Sequence, residues 1–487
     1  MDMLFAKNEL KSLSIDGRYE LDKLFKLKEN GTTVRTEILA GLTTFFAMSY
    51  ILFVNPAMLS QTGMPAQGVF LATIIGAVAG TLMMAFYANL PYAQAPGMGL
   101  NAFFTFTVVF SLGYTWQEAL GMVFICGIIS LIITLTKIRK TIIESIPGSL
   151  RAAISAGIGV FLAYVGIKNA GLLKFSIDPG TYTVAGESVE KAQSAITANS
   201  SATPGLVAFN DPAVLVALVG LAITVFFVVK GIKGGVILSI FATTVVAISV
   251  GLVNLSLIDL SQNNLGTAFK ELGEIFGVAI GPKGLGALFT DTARLPQTFM
   301  AILAFSLTDI FDTIGTLIGV ANKADMLDEN GKLERIKPAL LADAIATSAG
   351  AILGTSTTTT FVESSSGVSE GARTGLASVV TGFLFLLAII FAPVFTTIPG
   401  FATAPALIFV GFLMVSAVVD IDFNDPAESI PAYLCMIAMP LLYSISEGIA
   451  VGVISYVVIN IVVGKAKKIH PLMYILAVLF VLKYIFL

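Results

Sequence analysis

Apolar runs of membrane-spanning length follow one another near residues 37–60, 68–90, 97–113, 116–137, 150–173, 212–230 and 234–254. After a more polar stretch at 255–295 they resume near 296–322, 338–353, 357–371, 373–398, 402–421, 429–445 and 446–464, with an apolar tail at 470–487. A helix needs about 20 apolar residues to cross hydrocarbon. The pattern therefore predicts an all-α polytopic membrane protein of fourteen transmembrane segments, seven in each half. Within 255–295 an amphipathic piece around residues 269–278 is expected to lie along the interface. Two segments break the apolar rule. The third is short and opens with Pro91-Tyr-Ala-Gln-Ala-Pro-Gly-Met-Gly-Leu-Asn101, while the tenth falls in the hydroxyl-dense run Gly354-Thr-Ser-Thr-Thr-Thr-Thr-Phe-Val-Glu-Ser-Ser-Ser-Gly-Val-Ser-Glu-Gly371. Proline and glycine interrupt the first of these. In the second, Ser and Thr side chains compete for backbone hydrogen bonds, and irregular backbone survives at membrane depth only inside protein or beside a cavity.

An odd number of spans per half makes the second half enter the membrane upside down, so 37–254 and 296–464 are expected to be inverted repeats. Matched broken segments in the two halves point to a substrate site near the midplane. Residues 1–36 read as a cytoplasmic leader, 255–295 as an extracellular or interfacial loop, and 465–487 as a basic linker with an apolar tail. With the N-terminus inside, the basic groups at Lys137 to Lys140, Lys230 and Lys233, Lys323 to Lys337, and Lys465 to Lys468 all fall on the cytoplasmic side. That agrees with the positive-inside rule. The loop at 174–210, with its Asn199-Ser-Ser sequon, then lies outside.

Composition supports the membrane reading and removes other classes. Of 487 residues, 56% are hydrophobic and 12% charged, against about 25% charged in a soluble domain. A net charge of -3 gives no reason to expect nucleic acid. Cys126 and Cys435 lie in apolar segments and read as buried small hydrophobes. His470 is the single histidine, which argues against serine-histidine catalysis, histidine-held metals and histidine proton relays.

The chemistry rests on carboxylates. Span eight reads Phe305-Ser-Leu-Thr-Asp-Ile-Phe-Asp-Thr-Ile-Gly-Thr316, which puts Asp309 and Asp312 on one helical face with Thr313 and Thr316. Glu363 stands in the tenth segment. An ionisable group at membrane depth costs about 2.5–3.5 kcal/mol on insertion scales and usually has a task. Burial and mutual repulsion disfavour ionisation of neighbouring acids, so a site holding Asp309, Asp312 and Glu363 is expected to keep a proton. A proton-coupled carrier needs such a group, and one charge crossing 100 mV supplies about 2.3 kcal/mol. A carboxylate can also accept two hydrogen bonds from adjacent donors of a flat heterocycle, on which Phe45, Phe103 or Phe361 could stack.

Three stretches together, Gln94-Ala-Pro-Gly-Met-Gly-Leu-Asn-Ala-Phe-Phe104, Asp309-Ile-Phe-Asp-Thr-Ile-Gly-Thr316 and Thr357-Thr-Thr-Thr-Phe-Val-Glu-Ser-Ser365, give the chain a family likeness. From residue 31 to 465 it resembles the nucleobase/cation symporter family, in its adenine/guanine/hypoxanthine permease branch. The resemblance implies a core and a gate domain, with strand-then-helix elements in segments three and ten forming the site. It implies that Asn101, Asp309, Glu363 and Phe361 bind substrate and that Asp312, with Asp309 and Glu363, serves proton coupling. Uracil permeases of the wider family carry a histidine where this chain has Thr313, so coupling here would rest on carboxylates. The expected activity is uptake of guanine, hypoxanthine or adenine across the cytoplasmic membrane with protons rather than sodium, without cofactor or metal. A gate domain with a long apolar face could form a homodimer. An anion exchanger of the same architecture and a membrane-embedded hydrolase are the alternatives.

Overall fold

The protein is described by a computed structural model covering residues 20–136, 147–176, 182–185, 195–198, 203–253, 264–323, 326–327, 333–391 and 398–486. The first part of the leader, the basic group at Lys137 to Lys140, much of the 323–337 loop and the Asn199 sequon lie outside the described residues. The chain is a mostly helical membrane protein. Among the described residues eight helices are long and apolar enough to cross a bilayer, from Val34–Thr62 to Gly400–Asp420, and five shorter apolar helices accompany them.

Helices begin where the sequence supplies a cap. Thr33 accepts the Thr36 N–H at the start of α1 (Val34–Met48), which breaks at Ser49 and Tyr50 before α2 (Ile51–Leu59). α3 (Ala66–Met83) follows, then strand β1 (Gln94–Pro96) and α4 (Met98–Ala102), whose helix widens over Phe103–Ser111. Thr115 and Glu118 form a reciprocal capping box ahead of α5 (Trp116–Leu135). α6 (Gly148–Asn169) leads into two antiparallel ribbons in the 174–210 loop, β2 (Leu173–Ser176) with β5 (Thr203–Leu206) and β3 (Tyr182–Ala185) with β4 (Ala195–Ala198). These ribbons correct the expectation of a purely α fold: the loop's small and β-branched residues pair as strands at its surface-exposed base.

Asp211 caps α7 (Pro212–Val229), and α8 (Gly235–Ser249) follows. The amphipathic piece forms α9 (Leu265–Ile275), which leaves Phe269 exposed but buries Ala268 and Ile275. Its Glu271 accepts the Gly68 N–H at 2.9 Å, satisfying an otherwise orphaned donor in the first turn of α3. After a short turn of helix, α10 (Leu285–Leu288), the second half runs through α11 (Leu295–Lys323), α12 (Ile336–Leu353), β6 (Thr358–Thr360), α13 (Ser364–Ser369) and α14 (Gly375–Leu387). It ends with α15 (Gly400–Val415), α16 (Pro426–Leu441), α17 (Ile445–Val462) and α18 (Pro471–Phe486). Asp425 caps α16 and pairs with Lys465 at 2.5 Å, a bond that holds its carboxyl below the ordinary range. The apolar tail is thus a helix, α18, packed on α17 through buried Met473, Leu476 and Phe480.

Helices pack mainly within two sets. α1, α3, α5, α11, α12, α13 and α14 surround β1 and β6, while α6, α7, α8, α15, α16 and α17 pack on one another. The sets meet where α2 touches α15, α4 touches α6, and α8 touches α1. Apolar helices gain nothing from leaving lipid, so small residues and close approach decide their association. A Cβ added at Gly159 would lie 2.6 Å from the Gly411 carbonyl oxygen, which sets how closely α6 and α15 cross. At Gly367 it would lie 2.6 Å from the Ala40 carbonyl oxygen, where α13 meets α1. Gly367→Val should therefore lower the thermal unfolding midpoint of the detergent-purified protein, by an overpacking cost of about 1–3 kcal/mol. Gly273→Ala, where no atom lies within 4 Å of the added carbon, should leave it unchanged.

Candidate functional site

The two broken segments meet. β1 and β6 run antiparallel with Gln94 opposite Thr360, Ala95 opposite Thr359 and Pro96 opposite Thr358, and both strands are buried. Each strand leads into a short helix. The pairing continues past the strands, with the Gly97 N–H on the Thr357 carbonyl at 2.9 Å and the Phe361 N–H on the Ala93 carbonyl at 3.0 Å. Two three-residue strands leave many backbone groups unpaired, and in a dry interior each costs free energy. Side chains take them up. Thr81 bonds both the N–H and the carbonyl of Gln94, Ser364 accepts the Ala93 N–H at 3.0 Å, and Thr347 donates to the Thr358 carbonyl at 2.9 Å. Of these side chains Ser364 belongs to the 354–371 run, while Thr81 on α3 and Thr347 on α12 reach the strands from the surrounding helices.

Asp343 on α12 is the hub of this lattice. Its Oδ1 accepts the Thr360 N–H at 3.0 Å, the Thr360 hydroxyl at 3.1 Å and the Gln94 side-chain amide at 3.2 Å; its Oδ2 accepts the Thr313 hydroxyl at 2.8 Å. Thr313 also bonds Thr359 at 2.8 Å, so α11, α12 and both strands are tied through one carboxylate. Sequence reasoning passed over this residue. The signal was available: an acid amid the Ala and Leu of 338–353, the same anomaly that singled out Asp309.

The expected site residues fall around this hub. Asp309 is buried on α11 and turns toward α5, where its Oδ2 accepts the Ser130 hydroxyl at 3.1 Å and faces the Cys126 thiol at 3.9 Å. Its Oδ1 has no partner among the described residues. A space of ≈ 10 Å³, about the room of one water, lies between Asp309 and Asp343 and is bordered by Ser130, Thr134 and Thr313. Asp312 is half-buried and lies within electrostatic reach of Glu363, and Asp343 within reach of both aspartates of α11. Glu363 directly precedes α13 and makes no cap to that helix with its side chain; the Tyr50 hydroxyl donates to its Oε1 at 2.5 Å. Asn101 on α4 accepts the Ser356 hydroxyl and directs its amide to the Pro96 carbonyl at 3.4 Å. Phe361 is buried between strand and helix. Of the other rings, Phe103 packs edge-on against Phe305 at 4.6 Å and Phe45 against Phe385 at 5.1 Å. Asp309, Asp312 and Asp343 thus lie within electrostatic reach of one another, and Asp312 within reach of Glu363, beside the paired strands; no direct hydrogen bond joins Asp309 and Glu363.

A permease family model (Xan_ur_permease) matches residues 35–451. The chain belongs to this family. It is 39% identical over 472 residues to adenine permease AdeP of Escherichia coli strain K12, covering 96% of this chain and 97% of AdeP. It is 41% identical over 477 residues to guanine/hypoxanthine permease PbuG of Bacillus subtilis strain 168, covering 95% of this chain and 99% of PbuG. Among solved structures, the transmembrane domain of a cyanobacterial bicarbonate transporter, BicA, superposes with a TM-score of 0.58 at 16% identity, covering 86% of this chain and 97% of that one. SLC26A9 gives 0.54 at 12% identity over 94% of this chain and 71% of the other. At that identity the likeness is one of fold. Family membership makes the protein a multi-pass membrane transporter and not an enzyme, as the resemblance implied.

Asp343→Asn would turn an amide N–H toward groups that now donate to a carboxylate, and breaking a buried bond of this kind costs about 1–3 kcal/mol. The variant should show a lower unfolding midpoint and little or no uptake of the permease's substrate. A variant with wild-type stability and wild-type uptake would remove Asp343 from the site.

Proposed function

We propose that this permease imports purine nucleobases across the cytoplasmic membrane by proton symport, working by alternating access. The observation that carries the reading is the antiparallel pairing of β1 with β6, one strand-helix element from each half, beside the acids Asp309, Asp312, Asp343 and Glu363. Relatives over nearly the whole chain are named adenine permease and guanine/hypoxanthine permease, which supports a purine as cargo. On this reading the fourteen segments form a seven-plus-seven inverted repeat with the N-terminus inside, and the helix set around the paired strands is the core that moves against the other set, the gate. Glu363, Asp309, Asn101 and Phe361 line the purine site. Asp312, with Asp309 and Glu363, carries the proton, since a group of close acids in low dielectric favours binding one. Anion exchange is disfavoured, although the fold neighbour Slc26a9 is an anion transporter: carboxylates repel an anionic cargo.

Cells lacking their own nucleobase carriers and expressing this protein should show saturable, uncoupler-sensitive uptake of radiolabelled guanine, hypoxanthine or adenine. No saturable uptake of any of the three would sink the proposal. Glu363→Gln should abolish purine binding to the purified protein, whereas Asp312→Asn should spare binding and reduce turnover at least ten-fold. Normal transport by both variants would refute the site assignment.

A further inference from the structure

We propose that Tyr50 is a positioning residue of the purine site, holding Oε1 of Glu363 so that the second carboxylate oxygen is offered to a ring N–H of the substrate. The inference rests on the purine reading above and deepens it.

Tyr50 sits at the break between α1 and α2, the one interruption in the 34–62 span, and its side chain is buried. A tyrosine hydroxyl in such a place needs a partner. It takes Glu363, from 313 residues further along the chain, at 2.5 Å. An O–H···O contact of that length is in the range of charge-assisted bonds to an ionised carboxylate, stronger than a neutral pair. Glu363 has an alternative that it does not use. It stands at the N-cap of α13, yet its side chain makes no bond to that helix's N–H groups, so its orientation comes from across the interface and not from its own helix. The other donor its carboxylate meets is its own backbone N–H, and among the described residues no side chain besides that of Tyr50 donates to it. One oxygen fixed and one open is the arrangement by which a carboxylate reads a single donor at a defined angle.

The test uses the purified full-length protein and equilibrium binding of whichever of guanine, hypoxanthine and adenine binds most tightly, together with its single ring-N-methyl derivatives. In the wild type, methylating the nitrogen that meets Glu363 should cost far more than methylating the others. In Tyr50→Phe, an isosteric change, the parent purine should weaken on the order of ten-fold while that derivative changes little, so the methylation penalty shrinks by about the same factor. Equal weakening of parent and derivative, the mark of a merely structural residue, would overturn the inference, as would an unchanged pattern or tolerance of every N-methyl group by the wild type. Should Tyr50→Phe not accumulate in membranes, Tyr50→His, which keeps a ring-borne donor, carries the test: retention of the penalty supports the role and its loss opposes it. Wild-type protein that binds no purine would overturn the purine reading and this inference together; binding with an unaltered Tyr50→Phe pattern overturns the inference alone.

Discussion

The structure depends on satisfying backbone at membrane depth. Two segments abandon helical bonding near mid-chain positions of their halves, and in the absence of water each bare N–H or carbonyl would cost several kcal/mol. Pairing β1 with β6 satisfies part of that demand, and the hydroxyls of Thr81, Thr347, Ser364 and Ser378 satisfy more. The arrangement sets the hydroxyls of the 354–371 run mainly against other side chains, Ser356 with Asn101, Thr359 with Thr313 and Thr360 with Asp343, while Ser364 takes the Ala93 N–H. It also explains why a carboxylate, Asp343, sits in an otherwise apolar helix. One acceptor with four lone-pair sites gathers an N–H, two hydroxyls and an amide from three elements.

From that lattice the acids acquire different characters. Asp343 is fully engaged and structural, and Asp309 is half engaged, with one oxygen on Ser130 and the other unpartnered. Glu363 is held by a residue of the first span. Graded engagement sets a rigid support on α12 beside acids of α11 and of the turn before α13 that are less tied to their neighbours. The paired strands belong to one helix set and touch the other mainly through α4 and α2.

The first level legible in the sequence was element identity. Apolar runs marked a mostly helical membrane protein, Pro96-Gly97 and the Thr run marked the breaks, and Asp309, Asp312 and Glu363 stood out because charge is expensive in apolar segments. These are local signals, carried by composition and period. The strand-then-helix form of the broken segments came from the family likeness, and the helices capped by Thr33, Thr115, Asp211 and Asp425 begin where their caps dictate. The ribbons of the 174–210 loop were missed because their short, mixed-polarity strands carry too weak a period to distinguish from a loop.

Pairwise relations were decided only in three dimensions. No spacing could say that Tyr50 would reach Glu363, that Ser130 would meet Asp309, or that Gln94 would lie opposite Thr360, because partners hundreds of residues apart are matched by helix packing and strand register and not by any local preference. The sequence alone determined which residues are costly to bury; the tertiary structure determined which neighbour compensates each of them, and therefore which acids serve the fold and which remain open to chemistry.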